Sequence, residues 1–312
     1  MRVVVALGGN MILQKDDEGT FEQQFSRIQQ SAKILAEIAA NGNELVVTHG
    51  NGPQVGNLLI QQERGEPDVP AQPLSILDAM TQGQIGVMLE LAMINAFSEK
   101  GVRKRITVIP TLVEVDPKDP AFESPTKFIG PFYPKEMARE LEEKGLGPMK
   151  EQKGKGWRRV VASPIPKGIV ESEIIKSILL NNGIAIAVGG GGVPVSKTAN
   201  GYEFVDAVID KDRASQVLAS QIEAEELVIL TDVPYAYRNY GKPNQEPIEE
   251  ITASEAEVLL ESNEFGKGSM GPKIEACIAF VRNGGKKGVI SNQEYALDAV
   301  RGNAGTRIIP DP

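Results

Sequence analysis

A parallel α/β sheet with helices on both faces is the fold this sequence predicts, and three observations predict it. Short apolar runs, Val3-Val4-Val5-Ala6-Leu7, Leu45-Val46-Val47-Thr48, Ile184 to Val188 and Leu227-Val228-Ile229-Leu230, read as strands buried on both faces, since none alternates with polar residues. Helical segments separate the strands. Each run breaks at once into glycine or small polar residues: Gly8-Gly9-Asn10, Gly50-Asn51-Gly52, Gly189 to Gly192, and Thr231-Asp232.

In chain order, Thr20 and Gln23 form a capping box for an amphipathic helix through Phe21, Phe25, Ile28, Ala32, Leu35 and Ala39, which Asn41-Gly42 ends. After the second strand, Pro53 suits the first turn of a helix running through Val55 to Gln62. Ser75 with Asp78 opens a longer helix through Met80, Ile85, Met88, Leu91 and Ile94 to Phe97, and a strand over Ile106 to Val115 follows. The alternation fails over 116–166, where prolines and glycines accumulate around one charged helix, Glu136 to Lys144. Lys150, Lys153, Lys155, Arg158 and Arg159 make a basic patch there, read first as a solvated hairpin answering Glu140, Glu142 and Glu143. The alternation resumes with a helix over Glu171 to Leu180, a helix opened by Asp210-Lys211-Asp212, one before Glu264, and one reaching Val281. Short strands at Val289-Ile290 and Arg307 to Ile309 complete the pattern.

Composition narrows the function. A chain of 312 residues with 41% hydrophobic residues can bury a sizeable core. A net charge of −9 argues against a nucleic-acid or anionic-membrane surface, though a few placed lysines can still hold a small anion. The single cysteine, Cys277, excludes an internal disulfide and falls on an apolar helical stripe, as a buried thiol would. The opening apolar run is too short for a signal peptide and no stretch has the length of a membrane span, so the expected compartment is the cytoplasm.

The strand-end loops, with helix N-termini after Gly52 and Asp210, make an anion-binding rim, and phosphate is the obvious anion. Lys211 sits at a strand-to-helix junction between two aspartates, and Lys273 at a helix start after a glycine-rich loop. Phosphoryl transfer needs cations around the transferred group and carboxylates to orient them; taken singly, either lysine reads first as an ordinary surface ammonium, and the placement of both at loop–helix junctions favours the site. Gly266-x-Gly268-x-x-Gly271 matches a dinucleotide fingerprint by chance, because Asn263-Glu264-Phe265 before it is no strand. Gly50-x-Gly52-x-x-x-Gly56 does follow a strand, with its spacing off by one, and supports a dehydrogenase as a rival reading. A Walker-type loop is absent from the sequence, and His49, the one histidine, has no second histidine for a metal cluster or a hydrolase triad. An acceptor that is already anionic therefore fits best, since no base has to deprotonate it.

Several motifs together resemble the carbamate kinases of the amino acid kinase superfamily, essentially end to end. They are Val5 to Asn10, Thr48 to Gly56, Pro125-Thr126-Lys127 with Ile129 to Tyr133, Trp157 to Val161 with Ser163-Pro164, Gly189 to Pro194, Ala207 to Asp212, Thr231-Asp232-Val233 and Gly268 to Lys273. The resemblance implies a three-layer α/β/α sandwich with a mainly parallel central sheet, and a homodimer that interconverts ATP and carbamate with ADP and carbamoyl phosphate, using Mg²⁺. It implies one domain over 1–312, with 116–166 a protruding lid-like insertion, 1–210 mainly the acceptor side and 211–312 mainly the nucleotide side. By similarity, Gly8, Gly9, Asn10, Gly50, Asn51 and Gly52 hold carbamate and the transferred phosphoryl group. Lys127 reaches over the acceptor; Lys211 and Lys273 stabilise phosphate charge, and Asp212 orients them. Asp210, Thr231, Asp232, Tyr237, Met270 and Gly271 fall to the nucleotide. Phe128 stands where the family is expected to carry a smaller or turn-forming residue. A related kinase for another small carboxylate, and a non-catalytic nucleotide sensor, are the remaining rivals.

Overall fold

The computed structural model describes residues 1–14, 17–266 and 270–312, the side chain of Asn10 excepted. The first half of the chain forms β1 (Arg2–Leu7), α1 (Phe21–Ala40), β2 (Glu44–His49), α2 (Gly52–Gly65), α3 (Leu74–Glu99), β3 (Arg105–Val108), β4 (Leu112–Val115), β5 (Lys127–Tyr133), α4 (Lys135–Glu143), β6 (Met149–Gln152) and β7 (Gly156–Val161). Then come β8 (Pro166–Ile169), α5 (Ser172–Leu180), β9 (Gly183–Ile186), β10 (Val193–Thr198), β11 (Gly201–Phe204), α6 (Lys211–Gln221) and β12 (Glu226–Thr231). The last part holds β13 (Ala236–Arg238), β14 (Glu246–Ile248), β15 (Glu250–Thr252), α7 (Ala253–Glu261), α8 (Met270–Arg282), β16 (Lys287–Asn292), α9 (Ala296–Val300) and β17 (Thr306–Ile309).

Eight strands make the central sheet, in the order β15-β17-β16-β12-β1-β2-β9-β3, and only the β16–β17 pair is antiparallel. Strand β1 shows why its sequence is apolar without alternation. Val3, Val5 and Leu7 enter one core with α1, α3 and α9, while Val4 and Ala6 enter a second core with α5, α6, α7 and α8. Two covered faces make three layers.

Strands β12, β1, β2 and β9 are neighbours and run parallel, so the loops after Leu7, His49, Ile186 and Thr231 leave by one rim. A three-stranded antiparallel sheet, β5-β7-β6, carries α4, and β5 packs on α2 beside that rim. The capping box at Thr20 and Gln23 forms as read. Cys277 is buried, and burial pushes its thiol up. Among the described residues no helix is long and apolar enough to cross a membrane.

The structure corrects several local expectations. The strand expected over Ile106 to Val115 is two: β3 closes the central sheet, and β4 joins a separate sheet, β11-β10-β4-β8, because Pro110 between them has no N–H to donate. Helix α3 begins one residue before Ser75, with Pro73 at its N-cap, and Ser75 and Asp78 are buried rather than capping. Its apolar residues divide between two faces, with Ile85, Met88 and Phe97 buried and Met80, Leu91 and Ile94 exposed. The basic patch does not answer the acids of α4: Lys150 donates to the Pro125 carbonyl at 2.7 Å, and Arg158 to that of Gly130 at 2.9 Å. The fingerprint around Gly268 lies outside the described residues.

Candidate active site

Two clefts open along the glycine-rich rim. The larger, about 620 Å³, is lined by Gly9, Gly50, Asn51 and Gly52 from the strand-end loops and by Lys127 and Gly130 from β5, with Asp210, Lys211 and Asp212 at the start of α6 and Lys273 in the first turn of α8. Gly8 lies behind it, packed so closely that a Cβ there would come 2.7 Å from the Leu230 carbonyl oxygen. Gly190 needs to be glycine for two reasons: its φ is +67°, and a Cβ would meet the Asn51 side chain at 2.2 Å.

Asp210 caps α6, its Oδ1 accepting the Asp212 N–H at 3.0 Å and the Arg213 N–H at 3.4 Å. Its Oδ2 accepts from Lys127 Nζ at 3.0 Å, joining β5 to the sheet rim. Burial alone would raise the Asp210 carboxyl; the Lys127 and Lys211 ammoniums overcome that and lower it to about 2. The Asp212 side chain is only 4% exposed and holds two ammoniums. Lys211 Nζ donates to its Oδ1, and Lys273 Nζ to its Oδ2 at 2.9 Å. Burial again opposes the charge, and the two lysines hold the carboxyl below its usual range. Ser215 donates its hydroxyl to the Lys211 carbonyl at 2.6 Å, so Thr48 of β2 is the donor in the 2.6 Å contact between the two hydroxyls. The amino end of α6 is thereby tied to the β2 rim.

Four cationic side chains, Lys127, Arg158, Lys211 and Lys273, face two carboxylates across this cleft, leaving a positive site in an acidic chain. Arg158 is the one the sequence reading weighted as solvent-facing. It lies 4.9 Å from the Phe132 ring centroid and makes no ion pair among the described residues. Phe128 lines the same wall.

The second cleft, about 200 Å³, is lined by Thr231, Asp232, Val233, Tyr237, Tyr240, Glu264, Phe265, Gly266 and Met270. The rings of Tyr237 and Tyr240 are 5.9 Å apart. Thus Thr231, Asp232, Tyr237 and Met270 are together, whereas Asp210 belongs to the first cleft and Gly271 packs behind, against the Gly266 carbonyl. Met270 and Lys273 share the first turn of α8 and line different clefts, so one helix end joins the two.

His49 is buried and hydrogen-bonded through Nδ1 to the Gly50 carbonyl at 3.0 Å. Burial pulls its pKa down to about 4, against the Gly50 bond, with Lys211 pulling the same way; the imidazole is neutral at pH 7. Asp78 was read from sequence as a helix opener, and its true partner, Asn51, is 27 residues away: Asn51 Nδ2 donates to its Oδ1 at 3.0 Å. Burial pushes the Asp78 carboxyl up to about 8 despite the Asn51 bond, and Asp206 adds to the rise.

Residues 1–292 match the model of the amino acid kinase family. A carbamate kinase of Thermococcus kodakarensis is 45% identical over 311 residues, 99% of each chain, and one of Trichomonas vaginalis is 45% identical over 314 residues, all of each chain. The structure of a Giardia lamblia carbamate kinase bound to AMP-PNP superposes with a TM-score of 0.94 at 41% identity, over 99% of this chain and 98% of that one. With a shared rim of glycine loops, lysines gathered on one aspartate and likeness over the whole length, this chain belongs to the amino acid kinase family, and within it to the carbamate kinases.

Proposed function

We propose that the protein transfers a phosphoryl group reversibly between ATP and carbamate, giving ADP and carbamoyl phosphate. The observation that carries this reading is Asp212 shared by Lys211 and Lys273, opposite the Lys127–Asp210 pair, over glycine-lined backbone. Carbamate brings its own negative oxygen, so transfer needs no base, and the buried neutral His49 is left to hold Gly50 in place. Gly9 and Gly52 offer backbone N–H groups to the transferred phosphoryl oxygens, the Gly50 N–H being donated to the Leu7 carbonyl, and Lys211 and Lys273 neutralise charge as it spreads over them. Lys127 closes over the acceptor, exchanging Asp210 for the ligand, and Arg158 adds a cation that no carboxylate among the described residues offsets. The aromatic second cleft takes the nucleotide base, with Thr231, Asp232 and Met270 around it. On this reading 1–210 is mainly the acceptor side, 211–312 mainly the nucleotide side, and 116–166 the lid.

Mg²⁺ is the metal the family implies. Among the described residues no three His, Cys, Asp or Glu side chains gather, which fits a cation that takes most of its ligands from water and substrate phosphates. Asp210 and Asp232 supply hard oxygens at the two clefts and would hold it there, where it neutralises phosphate charge. The dehydrogenase rival has no support: Gly56 faces β5, where a Cβ on it would lie 3.6 Å from the Gly130 Cα, and the Gly50 loop faces lysines.

The testing experiment couples ATP formation to a reporter, with ADP and carbamoyl phosphate as substrates and acetyl phosphate as the control donor. ATP is expected from carbamoyl phosphate far faster than from acetyl phosphate, and equal rates would overturn the carbamate assignment.

The working unit is a homodimer of the cytoplasm. Met80, Val87, Leu91 and Ile94 form an exposed apolar stripe on α3, on the face turned away from the core, and a second copy covers it best. Leu91→Glu is expected to shift the protein to half its molar mass by light scattering, while an unchanged mass would place the contact elsewhere.

A further inference from the structure

We propose that Asp78 is a positioning residue: it holds the Asn51 side chain back on α3, so that the amino end of α2 stays open to the anionic substrate. The inference rests on the reading that the larger cleft seats the phosphoryl group, and it concerns how that seat is kept vacant.

Asn51 occupies the N-cap of α2, yet its side chain caps nothing. An asparagine in that position ordinarily turns its oxygen onto the N–H of the second or third helical residue. Here those residues are Pro53, which has no N–H, and Gln54, whose backbone N–H would be the natural target. The Asn51 amide is instead drawn across to α3, where Nδ2 donates to Asp78 Oδ1 at 3.0 Å and to Thr81 Oγ1 at 2.9 Å. Thr81 gives its own proton to the Asp78 carbonyl at 2.8 Å, which leaves its lone pairs for Asn51. Both amide protons are therefore spent on α3. The helix end keeps its uncapped donors and its positive end toward the cleft, which Asn51, Gly52 and Pro53 line.

Asp78 is 1% exposed, and its Oδ2 has no partner among the described residues. A buried polar atom left unpaired costs stability, so stability alone would favour an apolar residue here. Protonated at neutral pH, the side chain accepts from Asn51 without placing a second negative charge behind an anion site. Gly190 completes the arrangement, since any side chain there would push Asn51 off Asp78.

The test compares KM for carbamoyl phosphate with KM for ADP in the full-length enzyme. Asp78→Ala is expected to raise the first about tenfold and leave the second within about twofold. Asp78→Asn, which keeps a carbonyl acceptor, is expected to restore the wild-type value. In an Asn51→Ala background, where no side chain is left to fold over the helix end, adding Asp78→Ala should raise KM for carbamoyl phosphate no further, because the aspartate acts only through Asn51. If Asp78→Ala fails to fold, Thr81→Val removes the other acceptor, and its KM for carbamoyl phosphate must rise. Asp78 and Thr81 variants with normal KM, or a further rise when Asp78→Ala is added to Asn51→Ala, overturn the inference alone, as does a parallel rise in both KM values. Near-normal turnover in Lys211→Ala overturns instead the cleft reading beneath it.

Discussion

Lys211→Ala is expected to remain folded while turning over roughly several hundred-fold more slowly, a loss of about 3–4 kcal/mol of transition-state stabilisation. Two features separate the activity effect from stability. Asp212 keeps Lys273 at 2.9 Å after the substitution, so the buried carboxylate is not orphaned. The lysine stem packs on Gly50, where a Cβ would sit 3.3 Å from Lys211 Cδ, and little else depends on it. The ammonium, by contrast, stands between the α6 end and the glycine rim, where charge on the transferred group grows. Its removal should lower kcat and kcat/KM together, since the interaction is strongest in the transition state. Coupled ATP synthesis at saturating ADP measures the rate, and a urea midpoint near wild type confirms the fold. Near-normal turnover would remove Lys211 from the catalytic set.

The parts of this site that lie in backbone loops were legible in the sequence. Strands covered on both faces leave continuous apolar runs, and where such a run breaks into glycine the chain marks both the strand end and the place a ligand can approach. Four such breaks fell on adjacent strands, as a parallel sheet requires. Lys211 was legible because Asp210 beside it is also the cap of α6, a local signal.

What escaped depended on pairing across the chain. Asp78 sits three residues after Ser75, a spacing that imitates a helix start, and nothing in the local sequence reveals Asn51 as its partner. Arg158 reads as one more charge in a basic run until β7 pairs with β5 and sets it beside Gly130. The split of the 106–115 strand turned on Pro110 alone, inside a run otherwise suited to one strand. The β10–β11 hairpin turns on Ala199-Asn200, with Gly201 already paired to Thr198, so its Asn-Gly pair straddles the turn instead of forming it.

Asp212→Asn is expected to do the greater damage, because it breaks a buried charge cluster from its centre. The carboxylate neutralises two ammoniums, and both lysine side chains are themselves about as buried as the cleft allows, at 15% and 14% exposed. The amide is nearly isosteric, so packing survives and the change is electrostatic. Removing one member of a buried ion pair ordinarily costs about 3–5 kcal/mol, through the uncompensated charge left behind. Here two charges of the same sign are left behind and face each other. Turnover should fall at least as far as in Lys211→Ala, since neither ammonium is then held in place. The distinguishing consequence concerns anions. A doubly charged oxyanion in the cleft supplies what the aspartate no longer does, so sulfate should stabilise the variant more than the wild type, by linkage to the folded state. Urea midpoints with and without sulfate, at constant ionic strength set with chloride, measure the difference. A variant as stable as wild type and indifferent to sulfate would show that Asp212 does not hold the two lysines against their own repulsion, and the phosphoryl-transfer geometry would lose its centre.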